Sequence, residues 1–198
     1  MSIDLRLQEK AKVIRLLITD VDGVLTDGRI FYNAEGVQSQ AFFVRDGFGF
    51  RMARQAGLLT AIVTGRVSAA VTHRAKELGI TEIHQGAMNK LEVYEMLLHR
   101  YGLTDEATAY VGDDLNDLSV LGRVGLSAAP ADADPEVTTR VAYVTTQVGG
   151  RGAVREVIDL ILKAQGRWEE FLEERGPASE EGRPDGGFFL TSGRGMLQ

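Results

Sequence analysis

Asp20 and Asp22 are two carboxylates separated by a single residue, and they follow the apolar run VIRLLIT directly. Because an unpaired charge is costly to bury, carboxylates at the end of a predicted buried strand indicate a chemical role. A carboxylate can attack phosphorus as a nucleophile and form an aspartyl-phosphate. A second carboxylate two residues on could protonate the leaving oxygen and later activate water. Carboxylate and carbonyl oxygens are also the ligands that Mg²⁺ prefers.

Three further polar segments follow predicted strands: Thr64-Gly65-Arg66, 86–90 and 112–117. In a parallel α/β sheet, ligands bind outside the carboxyl ends of the strands, so we expect these segments to meet at one edge. Thr64 could donate a hydrogen bond to a phosphoryl oxygen, and Lys90 could offset the charge of the phosphoryl group. Asp113 could join Asp20 as a ligand of Mg²⁺. The set predicts phosphoryl transfer, which depends on positioning and electrostatics.

Short apolar runs alternate with segments of helical spacing. The runs at 13–19, 58–64, 108–112 and 124–128 predict strands buried on both faces. Segments 68–79 and 90–102 predict helices, with Ser68 as N-cap and Gly102 as C-cap. The alternation predicts an α/β fold with a doubly wound parallel sheet. Only 28–47 departs from it, because the strand-like runs RIFY and AFFV flank a turn at 33–36 and predict a β-hairpin.

The composition is that of a globular protein, with 198 residues, a net charge of −6 and no cysteine. The acidic charge argues against nucleic acid or an anionic membrane as partner. The lack of cysteine excludes disulfides and thiolate metal sites and fits a reducing cytoplasm. Because no apolar run resembles a signal or a membrane span, we expect a soluble, cytoplasmic protein. Residues 1–175 are expected to form one domain, and 176–198 a flexible tail containing the apolar triplet Phe188-Phe189-Leu190.

Four ordered motifs, DVDGVLTDG, IVTGR, Asn89-Lys90 and VGDDLND, resemble those of the haloacid-dehalogenase superfamily of phosphohydrolases. The segments FVRDGFGFRMA, LGITEIHQGAMNKL and VGGRGAVREVIDLILKAQG resemble its capless branch, which dephosphorylates 3-deoxy-D-manno-octulosonate 8-phosphate on the way to lipopolysaccharide. The resemblance implies a Rossmann-like core without a cap domain. It also implies a Mg²⁺-dependent phosphomonoesterase that acts through an aspartyl-phosphate.

The same resemblance assigns roles to individual residues. It implies Asp20 as nucleophile, Asp22 as general acid and base, and Thr64 and Lys90 as phosphate-binding catalytic groups. The implied metal ligands are Asp20, Asp113 and the backbone carbonyl of Asp22. The implied substrate-binding residues are Asp22, Phe43, Val44, Arg45, Asp46, Gly47, Arg51, Arg66, Arg74 and Lys90, with Asp114, Asp117 and Arg151 as candidates for supporting roles.

The arginines of these segments indicate the class of substrate. Arginine binds carboxylate and phosphate in a bidentate manner, so arginines in an acidic chain favour a phosphorylated sugar acid over a neutral sugar phosphate. Arg155 is the exception, since Asp159 lies four residues on and predicts a helix ion pair. Asp27, before a glycine, is interpreted as a turn residue.

Two alternatives remain open at the level of sequence. A nonulosonate 9-phosphate phosphatase of the sialic-acid type shares the capless scaffold and much of the motif set. A receiver-like phospho-acceptor module also combines an aspartyl-phosphate, Mg²⁺ and a lysine on a doubly wound sheet. Receivers lack an acid two residues after the phospho-acceptor, so Asp22 argues against this second alternative.

The motif spacing leaves no room for a cap domain. Between Asp22 and Thr64 the chain can form only the hairpin, a helix and a strand, and between Arg66 and Lys90 one helix and a short strand. Excluding water strengthens electrostatic contacts to a phosphoryl group, so another element must cover the site. The hairpin is apolar, and a lone two-stranded hairpin is marginal in water. We therefore predict a ring-like homotetramer in which the hairpins pack together and cover neighbouring sites.

Overall fold

The buried apolar runs of the sequence form one parallel sheet. The structure, a computed structural model, describes residues 5–173, and the predicted tail with its Phe188-Phe189-Leu190 triplet lies outside them. The strands are β1 (Leu16–Thr19), β2 (Phe31–Tyr32), β3 (Gln38–Ser39), β4 (Leu59–Thr64), β5 (Glu82–Gln85), β6 (Thr108–Val111), β7 (Leu126–Ala129) and β8 (Tyr143–Val144). Six of them form a sheet of order β5-β4-β1-β6-β7-β8 in which every neighbouring pair is parallel. The predicted parallel sheet is confirmed.

Helices cover both faces of this sheet. They are α1 (Leu5–Lys12), α2 (Val44–Gln55), α3 (Ala69–Leu78), α4 (Lys90–Tyr101), α5 (Leu118–Leu121), α6 (Pro135–Thr138), α7 (Ala153–Ala164) and α8 (Trp168–Glu173). Leu17 of β1 packs in the core under α1, α2, α3 and α7, whereas Leu16 and Ile18 pack under α4 and α5. Neighbouring residues of a strand point to opposite faces, so the sheet is doubly wound as predicted. None of the described helices is both long and apolar enough to cross a bilayer.

The register of the central strands brings their carboxyl ends to one edge. Thr19, the last residue of β1, pairs with Ile62 of β4 and with Val111 of β6. Asp20 therefore lies at the same edge of the sheet as Asp113, which comes two residues after β6, and as Thr64, the last residue of β4. The predicted meeting of the polar segments is confirmed.

The predicted helices agree closely with α3 and α4. α4 ends at Gly102, whose φ of 59° lies in the left-handed region that favours glycine. α3 follows Ser68, but the Ser68 side chain makes no capping hydrogen bond and donates to Oε1 of Gln40 at 2.9 Å instead. Ser68 therefore occupies the predicted N-cap position, but its side chain does not cap the helix. β1 and β7 also begin later than the apolar runs suggested, at Leu16 and Leu126.

The hairpin consists of β2 and β3, which pair antiparallel beside the main sheet. Its turn is closed by Asn33, whose Oδ1 accepts hydrogen bonds from the backbone N–H groups of Glu35 and Val37 at 3.1 and 2.7 Å. Asparagine favours this turn because its short side chain can satisfy backbone N–H groups two or more residues on. The predicted turn is confirmed.

The second strand of the hairpin is not AFFV, as the sequence suggested, but Gln38–Ser39. Residue 44 already begins α2, since Asp46 in the first turn of that helix is buried against the start of α7. There Asp46 Oδ1 accepts a hydrogen bond from the backbone N–H of Arg155 at 2.7 Å, and α7 packs against both α1 and α2. The paired strands of the hairpin therefore run from 31 to 39, well inside the predicted limits of 28 and 47.

Candidate active site

Asp20 and Lys90 form a buried ion pair at the edge where the strands end. Asp20 directly follows β1, and its Oδ1 accepts a hydrogen bond from the backbone N–H of Val21 at 2.7 Å. Oδ2 of Asp20 lies 2.8 Å from the ammonium nitrogen of Lys90, the first residue of α4. Both side chains are almost fully buried, so solvent screens their attraction only weakly.

Asp117 holds the other side of Lys90. Its Oδ1 accepts hydrogen bonds from the Lys90 ammonium at 2.7 Å and from the Tyr110 hydroxyl at 2.6 Å. Its Oδ2 accepts from the backbone N–H groups of Asp113 and Asp114 at 3.1 and 3.4 Å. Asp117 thus ties α4, β6 and the loop after β6 together, and it fixes where the lysine charge sits.

Asp20, Asp113 and Asp117 bring carboxylate oxygens within 4.8 Å of one another. Burial and the neighbouring carboxylates, opposed by Lys90, raise the pKa of Asp113 to about 8 and that of Asp20 to about 6. Oδ1 of Asp113 is buried and has no hydrogen-bond partner among the described residues. A divalent cation between Asp20 and Asp113 would relieve this crowding of negative charge, and hard oxygen donors suit Mg²⁺.

Gly23 leaves the space that this arrangement needs. It has a φ of 81°, and a Cβ there would overlap the carboxylate of Asp113. On its other side, the loop before α7 packs on the backbone after Asp22, where the N–H of Gly150 donates to the carbonyl of Val24 at 3.0 Å. The loop that carries the two aspartates is therefore held from both sides.

Asp22 points to the hairpin side of the same edge. Its Oδ1 accepts a hydrogen bond from the Gln40 side-chain amide at 2.5 Å, and its Oδ2 lies 3.4 Å from Nε of Arg66. Burial raises the pKa of Asp22, while Arg66 and Gln40 act in the opposite direction. Arg66 in turn donates to the hydroxyl of Tyr32 in β2 at 3.2 Å. The second aspartate thus lies between the carboxyl edge of the sheet and the hairpin.

Thr64 and Asp114 occupy the ends of their elements. Thr64 is the buried last residue of β4, and its carbonyl accepts a hydrogen bond from the backbone N–H of Ala87, in the loop that leads to Lys90. Asp114 is exposed and accepts from the backbone N–H of Leu115, where it caps the short 3₁₀ helix Leu115–Asp117. The Thr64 carbonyl and the Asp114 side chain therefore shape the loops around the buried ion pair.

A second group of predicted residues lies on or beside α2 and α3 and in the loop before α7. Arg74 pairs with Glu77 at 2.9 Å, Gly47 is buried against the Arg74 guanidinium, and Arg51 is exposed. Phe43 is half-buried and Val44 exposed, while Arg45 and Arg151 are exposed on either side of a cleft beside α7. Between residues 5 and 173, no hydrogen bond or ion pair joins this group to Asp20, Asp22 or Lys90.

Two interpretations of single residues are confirmed. Nε of Arg155 lies 2.5 Å from Oδ1 of Asp159, one helical turn away in α7. Oδ1 of Asp27 accepts a hydrogen bond from the backbone N–H of Arg29 at 3.1 Å, as in an Asx turn. The sequence did not single out Gln40 or Tyr110. Both are uncharged and lie outside the recognisable motifs. The one available signal was the alternation of side chains along β6, which places Tyr110 on the opposite face of the sheet from Ala109 and Val111.

Comparison with known proteins gives a consistent result. A sequence model of the haloacid dehalogenase-like hydrolases matches residues 69–158. The chain is 52% identical to the 3-deoxy-D-manno-octulosonate 8-phosphate phosphatase KdsC of Escherichia coli K12 over 161 residues, which are 81% of this chain and 86% of that protein.

Solved structures of such phosphatases share the fold. That of the Yersinia pestis phosphatase superposes with a TM-score of 0.83 at 47% identity, covering 84% of this chain and 90% of the other. That from Moraxella catarrhalis, in complex with magnesium ion, phosphate ion and KDO, superposes with a TM-score of 0.85 at 43% identity, covering 87% and 99%.

Proposed function

The chain belongs to the 3-deoxy-D-manno-octulosonate 8-phosphate phosphatases, a capless family of haloacid dehalogenase-like hydrolases, and we propose that Asp20 and Asp22 divide its chemistry between nucleophile and general acid–base. The enzyme is a Mg²⁺-dependent phosphomonoesterase that releases the free sugar acid and phosphate. The observation that carries the division of roles is the different setting of the two aspartates. Asp20 is buried against Lys90, whereas Asp22 faces Arg66 and the hairpin.

In the first step, the Asp20 carboxylate attacks phosphorus and the bond between phosphorus and the sugar oxygen breaks. Asp22 gives its proton to that oxygen, so the sugar acid leaves as the neutral alcohol. Lys90 lies close enough to Asp20 to attract phosphoryl oxygens beside it, and Thr64 with the N–H of Gly65 supplies hydrogen bonds. These fixed charges and donors stabilise the transition state because they need no reorganisation.

In the second step, Asp22, now a carboxylate, takes a proton from water as the water oxygen attacks phosphorus. The bond between phosphorus and Asp20 breaks, phosphate leaves, and both aspartates return to their starting states. One residue can serve as acid and then base because the two steps need opposite proton transfers.

Asp20, Asp113 and the backbone carbonyl of Asp22 are the proposed ligands of Mg²⁺. Asp113 offers a buried oxygen without a hydrogen-bond partner among residues 5–173. Asp117 is close to them, but its oxygens already accept hydrogen bonds from Lys90, Tyr110 and two backbone N–H groups. When bound, Mg²⁺ neutralises charge on the carboxylates and on the phosphoryl group.

Arg66 is the proposed anchor for the sugar acid beside Asp22. Five of the predicted residues lie on or beside α2 and α3 and make no contact with Asp20 within the described chain, and we propose that they act where two subunits meet: Phe43, Val44, Arg45, Arg51 and Arg74. Asp46 and Gly47 are buried within the subunit, so we propose that they hold α2 in place instead of contacting the substrate. Apolar side chains of the hairpin support such an assembly, because Phe31, Tyr32 and Val37 are 53%, 62% and 61% exposed. We propose a homotetramer in which each site is completed and covered by a neighbour.

We also assign the enzyme to the cytoplasm and to lipopolysaccharide biosynthesis. The acidic chain without cysteine supports the compartment, and the substrate class of the family supports the pathway. Arg151, on a glycine-flanked loop beside the proposed interface, is given a supporting role there.

The decisive experiment measures phosphate release from a panel of phosphate esters, with and without Mg²⁺. The panel contains 3-deoxy-D-manno-octulosonate 8-phosphate, a nonulosonate 9-phosphate and neutral sugar phosphates. We expect the eight-carbon sugar acid phosphate to have the highest kcat/KM and all turnover to require Mg²⁺. A preference for the nonulosonate ester would move the enzyme to the sialic-acid type, and a preference for neutral esters would remove Arg66 from its proposed role.

A further inference from the structure

Gln40 joins the hairpin segment to Asp22 through two hydrogen bonds. Its amide nitrogen donates to Oδ1 of Asp22 at 2.5 Å, and its amide oxygen accepts from the Ser68 hydroxyl at 2.9 Å. Because one end of an amide donates and the other accepts, turning the side chain over would break both bonds. Gln40 is therefore held in one orientation.

A chain of polar contacts anchors Gln40 to the main sheet. The backbone N–H of Ser68 donates to Oε1 of Gln85 at 2.6 Å, and Nε2 of Gln85 donates to the Thr72 hydroxyl at 2.7 Å. Gln85 is the last residue of β5, and Thr72 lies in α3. Although Gln40 itself follows a short hairpin strand, its side chain is fixed to rigid elements of the core.

We propose that Gln40 is the positioning residue that orients Asp22 for proton transfer to the leaving sugar oxygen. The proposal rests on the general-acid role of Asp22 given above. Oδ1 of Asp22 accepts the hydrogen bond from Gln40, so the transferable proton resides on Oδ2, which lies 3.4 Å from Nε of Arg66. That proton moves from Oδ2 to the sugar oxygen as the bond to phosphorus breaks and Asp20 forms its own bond to phosphorus.

Gln40 suits this role because it is a neutral donor. Its hydrogen bond to Oδ1 can persist whether Asp22 is protonated or ionised, so the orientation survives both steps of the cycle. Arg66, the other group at Asp22, is proposed to bind the substrate. Gln40 is then the contact that still orients Asp22 when the Arg66 guanidinium engages the sugar acid.

The test uses the leaving group to separate acid catalysis from other effects. Gln40→Met keeps the length of the side chain but removes both hydrogen bonds. Its kcat/KM is measured for the alkyl ester 3-deoxy-D-manno-octulosonate 8-phosphate and for p-nitrophenyl phosphate, whose leaving group departs as a stable anion without a proton. We expect a loss of about 10-fold or more for the alkyl ester, a part of the ~10²–10⁴-fold that general acids contribute, and less than about 2-fold for the aryl ester.

Gln165→Met is the matched control, since it removes a side-chain amide hydrogen bond, to the carbonyl of Ile14 at 2.7 Å, at the end of β1 opposite to Asp20. It should leave the ratio of the two kcat/KM values at the wild-type level. Ser68→Ala removes only the bond to the oxygen of Gln40, so it should shift the ratio in the same direction by a smaller factor. This variant carries the test if Gln40→Met does not fold.

Asp22→Asn separates failure of this inference from failure of the proposed mechanism. If Asp22→Asn lowers kcat/KM by the same factor for both esters, the general-acid role of Asp22 is wrong. Suppose instead that Asp22→Asn lowers kcat/KM for the alkyl ester more than for the aryl ester. If Gln40→Met and Ser68→Ala then lower kcat/KM equally for the two esters, or for neither, the positioning role of Gln40 is overturned.

Discussion

The ammonium nitrogen of Lys90 lies 2.8 Å from Oδ2 of Asp20, and water reaches almost none of either side chain. Removing one partner of a buried pair leaves an uncompensated charge, which is far more damaging than the loss of an exposed pair. At this position the charge also faces the proposed path of the phosphoryl group. Under the proposed mechanism, the stability of the fold and catalysis therefore depend on the same contact.

Lys90→Met should lower kcat by about 10²-fold or more, because a fixed positive charge beside the transferred phosphoryl group is lost. The rate of phosphoenzyme formation in a single turnover measures the effect directly. Lys163→Met is the control, since Lys163 is an exposed lysine on α7 whose ammonium lies over the Trp168 ring. Wild-type turnover in Lys90→Met would remove the lysine from the mechanism.

Asp20→Asn and Asp22→Asn should impair the reaction in different ways. Asp20→Asn should form no phosphoenzyme, because an amide cannot replace the carboxylate nucleophile. Asp22→Asn should still bind substrate but react orders of magnitude more slowly, since the leaving oxygen receives no proton. Rapid-quench detection of the acyl-phosphate distinguishes the two variants. A phosphoenzyme in Asp20→Asn would show that another residue is the nucleophile.

Gly23→Ala should weaken Mg²⁺ binding by about 10-fold or more, because the new Cβ displaces a carboxylate that would bind the ion. Gly36→Ala is a sharp control, since Gly36 also has a positive φ, 74°, but no atom lies within 4 Å of its added Cβ. Both variants should lose about 1–3 kcal/mol of stability through backbone strain. Calorimetric titration with Mg²⁺ should show weaker binding in Gly23→Ala than in Gly36→Ala. Equal Mg²⁺ affinities of the two variants would refute the role of Asp113 as a metal ligand.

Asp46→Asn should change how stability depends on pH. Burial raises the pKa of Asp46 from 3.8 to about 6, so between these values the folded protein holds a proton that the unfolded chain has released. The free energy of unfolding therefore falls as pH rises through this window and stays at the lower value above it. Asparagine can still accept the hydrogen bond from Arg155, but it does not titrate.

The difference in melting temperature between Asp46→Asn and the wild type measures this effect. It should move in favour of the variant as pH rises from about 4 to about 6 and stay constant at higher pH. Parallel profiles over the whole range would mean that the Asp46 carboxyl titrates as it does in the unfolded chain. Asp159→Asn should shift in the same direction, since burial also raises the pKa of Asp159 although the paired Arg155 opposes this effect.

Introducing charge on the hairpin should dissociate the proposed tetramer. Phe31→Glu combined with Val37→Glu places two carboxylates on surfaces that are 53% and 61% exposed, where they would be buried without partners in the assembly. Light scattering should show smaller species, and kcat/KM should fall with them. Val13→Glu, at another exposed apolar position, should leave the assembly intact. A fully active monomer would contradict the proposal that each site is completed by a neighbouring subunit.

Much of the catalytic edge could be predicted because charged residues at the ends of apolar runs are rare without a purpose. Asp20 and Asp113 stand out for this reason, and parallel strands bring their carboxyl ends together. The two cores follow from the same runs, since a strand buried on both faces must be covered on both.

Gln40 and the start of α2 could not be predicted, for a common physical reason. Each depends on a contact with a residue more distant along the chain, and neither carries a local signal of its own. Gln40 meets Asp22 only when the hairpin folds back, and Asp46 is separated from Arg155 by 109 positions. The run AFFV has the composition of a strand, but the docking of α2 on α7 overrides this local preference.

The contact between Asp46 and α7 also governs the order in which the chain can complete its fold during translation. α1, α2 and α3 leave the ribosome well before α7, yet α7 supplies the apolar side chains that close their side of the sheet. Until it emerges, the nascent polypeptide exposes the apolar surface of α2, and Asp46 lacks the N–H group that it accepts from. Such exposed surfaces promote aggregation, so we expect the growing chain to be most prone to aggregate while residues 153–164 remain in the exit tunnel.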